Sequence, residues 1–334
     1  MPVREPVGEP AHDPARDAAG EPVPLLVLAG PTASGKSELA LRLARLVPLE
    51  IISADSAQVY RGLDIGTAKP SAAERRQVPH HLIDIIDGDQ RFSVAAFQAA
   101  ADALAREIHR RGRLPVLVGG TGLYIRAVTQ RFDFTAGAYD PDLRRALAAR
   151  AAREGSQRLH DELQRLDPEA AARIHPRDTR RIIRALELYQ LTGRPRNLRP
   201  QKRPASPYAA LVVALEVDRA CLYRRINRRT DAQLAAGWPD EVRALRDRWP
   251  PDAPCFDVLG YREMLDYVEG RRSLDEVARE IKRKTRHYAR RQLTWLRREQ
   301  VDRRLDVTGG VGDTHARAVA QWLAGKVRQG GEEA

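Results

Sequence analysis

The sequence predicts an α/β fold, a three-layer core with a parallel sheet, plus an all-helical insertion. Three observations carry this reading. Short continuous apolar runs alternate with helical periods in the first 130 residues, the signature of a parallel sheet covered by helices. A glycine-rich phosphate loop joins the first run to the first helix. Between about 131 and 205 the strand pattern stops and helical spacing takes over.

Pro24-Leu-Leu-Val-Leu-Ala-Gly30 reads as a buried parallel strand, because it is apolar throughout rather than alternating. From Lys36 to Val47, Leu39, Ala40, Leu43, Ala44 and Val47 recur at helical spacing. Glu50-Ile-Ile-Ser-Ala-Asp55 is a second strand and Leu114-Pro-Val-Leu-Val-Gly-Gly120 a third. Between them, Val94, Phe97, Ala101, Leu104 and Ile108 line one face of a helix over Ser93–Arg111. Asp140–Thr192 shows helical patterns broken at Asp167-Pro168 and His175-Pro176. Gly193–Pro207 holds four prolines and five basic residues and reads as a loop. Leu211-Val-Val-Ala-Leu-Glu-Val217 resumes the sheet, and the remainder reads as mostly helix, with a long amphipathic one over about Leu274–Arg298. The expected division is a disordered leader over 1–23, a core over 24–130 and 206–325, a helical insertion over 131–205 and a disordered tail over 326–334.

Composition narrows the function. The chain has 334 residues, 43% of them hydrophobic and 31% charged, with mean hydropathy −0.50. No run approaches the roughly 20 apolar residues of a membrane helix, so no membrane role is expected. Two cysteines, Cys221 and Cys255, cannot build a disulfide framework or a cysteine-rich zinc site. The net charge is +12, and because the leader carries −3 the rest carries +15. That excess favours polyanionic partners. It gathers in two places: residues 173–203 and residues 271–304 each carry net +8. Nothing in the leader resembles a secretory signal, so a cytoplasmic protein is expected.

Gly30-Pro-Thr-Ala-Ser-Gly-Lys-Ser37 matches the phosphate-loop pattern G-x-x-x-x-G-K-[ST] and sits between a strand and a helix. The core is therefore a P-loop core. Backbone N–H groups of Gly30, Pro31, Thr32, Ala33, Ser34 and Gly35 (proline excepted) and the helix N-terminus face a diphosphate of the kind ATP carries. Lys36 reaches its terminal oxygens, and Ser37 offers a hydroxyl to Mg²⁺. An ordinary P-loop NTPase ends another core strand in an Asp for the metal. Here that strand ends in Gly119-Gly120-Thr121, and the carboxylate follows the second strand as Asp55. Loops at strand C-termini converge on the ligand, so Asp55 faces the phosphate loop as a base or a water-mediated metal ligand. A plain helix N-cap is the other reading.

Three strings identify a family: Gly30–Ser37; Asp55-Ser-Ala-Gln-Val-Tyr-Arg-Gly62 running into Asp64-Ile-Gly-Thr-Ala-Lys-Pro70; and Gly119-Gly-Thr-Gly-Leu-Tyr124. With Asp178–Glu187, Ala236-Gly237 with Glu241-Val242, Gly260-Tyr-Arg-Glu263 and Arg290-Arg-Gln-Leu-Thr-Trp-Leu-Arg297, they resemble the bacterial tRNA dimethylallyltransferases, the tRNA isopentenyltransferase family, over roughly 24–305. The resemblance implies transfer of a dimethylallyl group from dimethylallyl diphosphate to N6 of the adenosine 3′ of the anticodon, in tRNAs reading codons that begin with U. It implies Asp55 as general base. It implies Lys36, Ser37 with Mg²⁺, and arginines after Leu222 as stabilisers of the leaving diphosphate. Arg225 and Arg229 lie four residues apart on one helix face, and Arg224 and Arg228 repeat the spacing, so the register is open. It also places at the tRNA Asp55, Ser56, Ala57, Gln58, Thr121, Arg144, Arg180, Arg181, Arg184, Gly260, Tyr261, Arg262, Arg290, Arg291, Gln292 and Arg297. Thr121 also reads as a turn hydroxyl, and the basic runs as solvated helix faces. A monomer is expected. Two other functions fit the motifs: a P-loop small-molecule kinase, and a tRNA-binding module without catalysis.

Overall fold

The computed structural model describes residues 22–130, 132–133, 140–193, 201–202 and 206–332, without the side chains of 133, 201–202 and 326–332. Nearly all of the expected leader, Arg194, Arg196, Arg199, Arg203 and the last two residues of the expected tail lie outside the described residues. The chain divides into two compact units, Met1–Ile125 with Ser206–Ala334, and Arg126–Ala205.

The first unit opens with β1 (Val23–Ala29), α1 (Lys36–Leu43), β2 (Leu49–Ala54), α2 (Ala72–Gln77), β3 (His80–His81), α3 (Val94–Arg110), β4 (Leu114–Gly119) and the start of α4 (Gly122–Thr129). In the second unit, α5 (Pro141–Glu154), α6 (Ser156–Leu166), α7 (Pro168–Arg173) and α8 (Thr179–Thr192) form the helical body, flanked by the two-stranded antiparallel pair β5 (Phe132–Asp133) and β6 (Gln201–Lys202). Asp167 caps α7, accepting from Ala170 N, with Pro168 at its first position, as the Asp-Pro break predicts. The chain returns through β7 (Tyr208–Glu216), α9 (Arg219–Ala235), α10 (Trp238–Arg248), α11 (Tyr261–Val268), α12 (Leu274–Leu296), β8 (Arg303–Asp306) and α13 (Asp313–Glu332).

The six-stranded sheet runs β3-β2-β4-β1-β7-β8, every pair parallel. The central strand β1 is buried from Leu25 to Ala29, which is why its sequence does not alternate. One core cluster joins Leu26, Leu28, Leu39, Leu43, Val116, Val213 and Leu215 between sheet and helices; burying each such side chain contributes about 1.5–3 kcal/mol. A second cluster, Val59, Leu63, Trp238, Phe256, Tyr261, Met264 and Ile281, seats the segment after β2 against α10, α11 and α12.

Two strands escape the sequence pattern. β3 has two residues, and β8 buries only Leu305 among Arg303, Arg304 and Asp306, so neither shows an apolar run. Helix α13 runs Asp313–Glu332; Ala316 and Val319 dock its first turns in the core and Arg42 pairs with Asp313 at 2.7 Å. Among the described residues, no helix is long and apolar enough to cross a membrane.

Candidate active site

The site lies in the first unit, beyond the C-terminal ends of β1, β2 and β4. After β1 the loop turns through Ala33 (φ 63) and Gly35 (φ 98), two left-handed residues of the kind from which anion-binding N–H nests are built. Ala33 adopts that conformation without glycine's freedom, a strain of about 1–2 kcal/mol that the surrounding packing must hold. Gly35 could not carry a side chain, because a Cβ would meet Val311. Lys36 lies over the loop and its Nζ donates to Pro31 O at 2.8 Å. Crowding by protein lowers its ammonium to about 8, Asp55 works against that shift, and Arg229 adds to it. Ser37 is exposed in the first turn of α1.

Asp55 follows β2 directly. One carboxylate oxygen accepts from Ala57 N at 2.8 Å, so the capping reading holds for a turn rather than for a helix. Among the described residues no hydrogen bond engages the other oxygen. Asp55 is electrostatically coupled to Lys36, Arg229, Tyr124 and Tyr288. Burial and this carboxylate push the Tyr288 phenol up, while hydrogen bonds with Thr121 and Gln292 oppose the rise. Tyr124, stacked on Phe97 with centroids 3.9 Å apart, is pushed up to about 12, mainly by burial. Thr121 Oγ1 accepts from Ser56 N at 3.3 Å, tying the β4 loop to the Asp55 turn.

The four candidate arginines of α9 take different surroundings. Arg229 Nη2 donates to Thr32 Oγ1 at 2.5 Å, which brings its guanidinium to the phosphate loop. Arg225, one turn earlier, donates instead to Val307 O and Thr308 O, both at 2.8 Å. It faces the chain leading into α13, whereas Arg229 stands at the phosphate loop. Arg224 and Arg228 are exposed.

The expected RNA-facing residues also separate. Gln292 is buried and both ends of its amide are engaged: Oε1 accepts from Thr32 N at 2.8 Å and Nε2 donates to Gly120 O at 2.9 Å. It braces the phosphate loop against the β4 loop. Tyr261 is fully buried with its hydroxyl on Glu241, and Gly260 is buried with φ 95 against Trp238, so neither presents a surface to RNA. Arg262 binds Pro251 O and Asp257 and stays partly exposed. Arg290, Arg291 and Arg297 are exposed along α12, with Arg291 over the Tyr288 ring. Ser56 is exposed, and Ala57 and Gln58 lie beside it. In the second unit Arg144 and Arg184 both hold the fully buried Glu187, at 2.5 and 2.8 Å. Arg180 and Arg181 are exposed at the start of α8.

Sequence reasoning gave no role to Tyr288 or Gln233, and quoted Tyr124 and Glu241 only as members of family strings. Gln292 had a readable signal: it sits in the buried stripe Val277, Ile281, Thr285, Ala289, Gln292, Leu296 of α12, where an apolar residue belongs. Gln233 ends a similar stripe on α9.

The IPP transferase family model matches residues 58–299, nearly three quarters of the chain. The chain belongs to the IPP transferase family. Family relatives include a tRNA dimethylallyltransferase of Symbiobacterium thermophilum, 51% identical over 288 residues that cover 86% of this chain and 90% of that one. Another from Geobacillus kaustophilus is 45% identical over 304 residues, covering 90% and 96%. Among solved structures, a tRNA isopentenylpyrophosphate transferase of Bacillus halodurans superposes with TM-score 0.70 at 44% identity, covering 93% of this chain and 98% of that one. A eukaryotic dimethylallyltransferase acting on tRNA gives TM-score 0.67 at 28% identity, covering 81% and 69%. Membership in the IPP transferase family does not favour the kinase reading.

Proposed function

We propose that this chain transfers the dimethylallyl group of dimethylallyl diphosphate to N6 of the adenosine 3′ of the anticodon, in tRNAs reading codons that begin with U. The observation that carries this is the pairing of a cationic phosphate loop with a carboxylate oxygen, on Asp55, that no hydrogen bond engages among the described residues. The adenine N6 amine is a weak nucleophile, its lone pair delocalised into the ring. Asp55 accepts its proton as the N6–C1 bond forms. The C1–O bond breaks, and its electron pair leaves with diphosphate. Lys36, Arg229 and the loop N–H groups meet the charge that grows on that oxygen.

Among the described residues no group of three or more His, Cys, Asp or Glu could hold a metal. The exposed Ser37 hydroxyl, in the first turn of α1, would serve as a ligand to Mg²⁺ carried in by the diphosphate, with water and phosphate oxygens for the rest. When bound, the ion neutralises part of the diphosphate charge. The exposed arginines Arg177, Arg180, Arg181, Arg290, Arg291 and Arg297 are proposed to meet tRNA phosphates. A monomer acting on tRNA in the cytoplasm belongs to the same reading.

Incubation with labelled dimethylallyl diphosphate and unmodified tRNA tests the reading. Label is expected in RNA, on the adenosine 3′ of the anticodon, and chelation of Mg²⁺ is expected to slow it. ATP consumption with a small acceptor and unlabelled RNA would replace the reading with a kinase.

A further inference from the structure

The segment Asp64-Ile-Gly-Thr-Ala-Lys69 is gripped more tightly than a surface loop requires. The part-buried Glu241 carboxylate, on α10, accepts three successive backbone N–H groups: Oε2 from Asp64 N at 2.8 Å and Ile65 N at 2.6 Å, Oε1 from Gly66 N at 3.2 Å. The Tyr261 hydroxyl adds a fourth bond at 2.6 Å. From the other side Gln233 Nε2 donates to Ile65 O at 2.7 Å and Gly66 O at 2.9 Å. Trp238 lies so close to Gly66 that a Cβ there would collide with its ring. Lys69, almost wholly buried, closes the loop through Tyr60 O at 2.6 Å, Asp64 at 2.7 Å and Asp84.

The loop touches both halves of the chemistry. With Arg229, Ala232 and Gln233 of α9 it lines a cavity of about 650 Å³. At its far end, Thr67 O and Ala68 O each accept from Gln58 Nε2 at 3.4 Å, and Gln58 Oε1 accepts from Ser53 Oγ at 3.0 Å. Gln58 belongs to the turn that Asp55 opens, and Gln233 is one turn beyond Arg229 on the same helix.

We propose that Glu241 is a positioning residue for the transfer step: by filling the N–H nest at residues 64–66 it fixes the cavity wall that sets Gln58, and the Asp55 turn, against Arg229. Three converging N–H groups are met best by an anion with two acceptor oxygens. A glutamine of the same length offers one oxygen and turns an NH₂ toward a donor, leaving at least one of the three N–H groups without this partner. The role rests on the transferase reading, but the grip itself does not.

The test uses the full chain with Glu241→Gln. Hydrogen–deuterium exchange is expected to show faster exchange at Asp64, Ile65 and Gly66, and steady-state transfer a kcat lower by on the order of 10²-fold with the KM for tRNA within about threefold. Gln58→Ala, alone and combined with Glu241→Gln, separates positioning from general loosening: losses well short of multiplicative place the two residues on one path. Should Glu241→Gln fold poorly, Gln233→Leu releases the same loop from its carbonyl side, and a smaller drop confined to kcat is expected. Unchanged amide exchange in Glu241→Gln overturns the grip. Faster exchange with unchanged kcat, or losses that multiply, overturns the positioning role. Absence of transfer by the wild-type chain defeats the transferase reading and the positioning role with it, while exchange still decides the grip.

Discussion

Strand β2 begins and ends beside an acid, and the two acids have opposite fates. Glu50, at the lower end, is buried. His81 Nε2 lies 2.7 Å from its Oε2, and Arg111 donates to both oxygens, at 2.7 and 3.2 Å. Burial alone would raise the Glu50 carboxyl, but the bonds from Arg111 and His81 outweigh it and hold it below the ordinary range. Asp55, just past the upper end, keeps one oxygen outside any hydrogen bond among the described residues, beside an ammonium and a guanidinium. At the lower end donors and acceptors match. At the upper end cations converge and the match is left for a substrate to complete. In this sheet, structural charge is distinguished from chemical charge by what remains unsatisfied.

The largest effect is expected from Asp55→Asn. It keeps an acceptor for Ala57 N and removes the base, so transfer should fall by about 10²–10⁴-fold while tRNA affinity and melting temperature hold. A variant with near wild-type turnover would make the two ends of β2 alike. Glu50→Gln should do the reverse, lowering stability by on the order of 3 kcal/mol with turnover per folded molecule unchanged. Because the folded carboxyl titrates below its ordinary 4.5, its stabilisation is present above that pH and fades as pH falls through the folded value. Denaturant titrations from pH 7 down to pH 3 should therefore show a steeper acid loss in wild type than in Glu50→Gln.

Two smaller effects sharpen the upper end. With Lys36 titrating near 8 in the free protein, kcat/KM for the donor should decline by up to about tenfold per pH unit above 8, as the charge facing diphosphate is lost. A profile flat to pH 10 would take Lys36 out of donor binding. Exposed arginines supply the last case. Arg184 holds Glu187, so the informative triple is Arg177, Arg180 and Arg181 to Gln. It should flatten the slope of log tRNA affinity against log salt by about two units. An unchanged slope would return them to a solvated helix face.

The upper end of the sheet was legible in the sequence because its parts are local. The phosphate loop is eight consecutive residues, and Asp55 is placed by the strand before it. Gln292 bonding Thr32 across 260 positions, or Glu241 bonding Asp64 across 177, has no such mark. Periodicity says which face of a helix is buried, not which backbone groups it meets. The four arginines of α9 show the same limit: spacing put two pairs on candidate faces, and only the packed helix separates Arg229 at Thr32 from Arg225 at Val307.

The order of the sheet also has a consequence for synthesis. Strand β1 pairs on one side with β4, complete at Gly119, and on the other with β7, which ends at Glu216. At roughly 5–20 residues per second, a ribosome needs about 5–20 s to bridge that interval. Throughout it the seven-residue, wholly apolar β1 offers an open edge to any other nascent chain. The helical unit is made within the same interval and carries its own core of Leu147, Leu159, Leu163, Ile182 and Leu186. A synonymous pause before β7 would lengthen the exposure without altering a single residue of the finished protein.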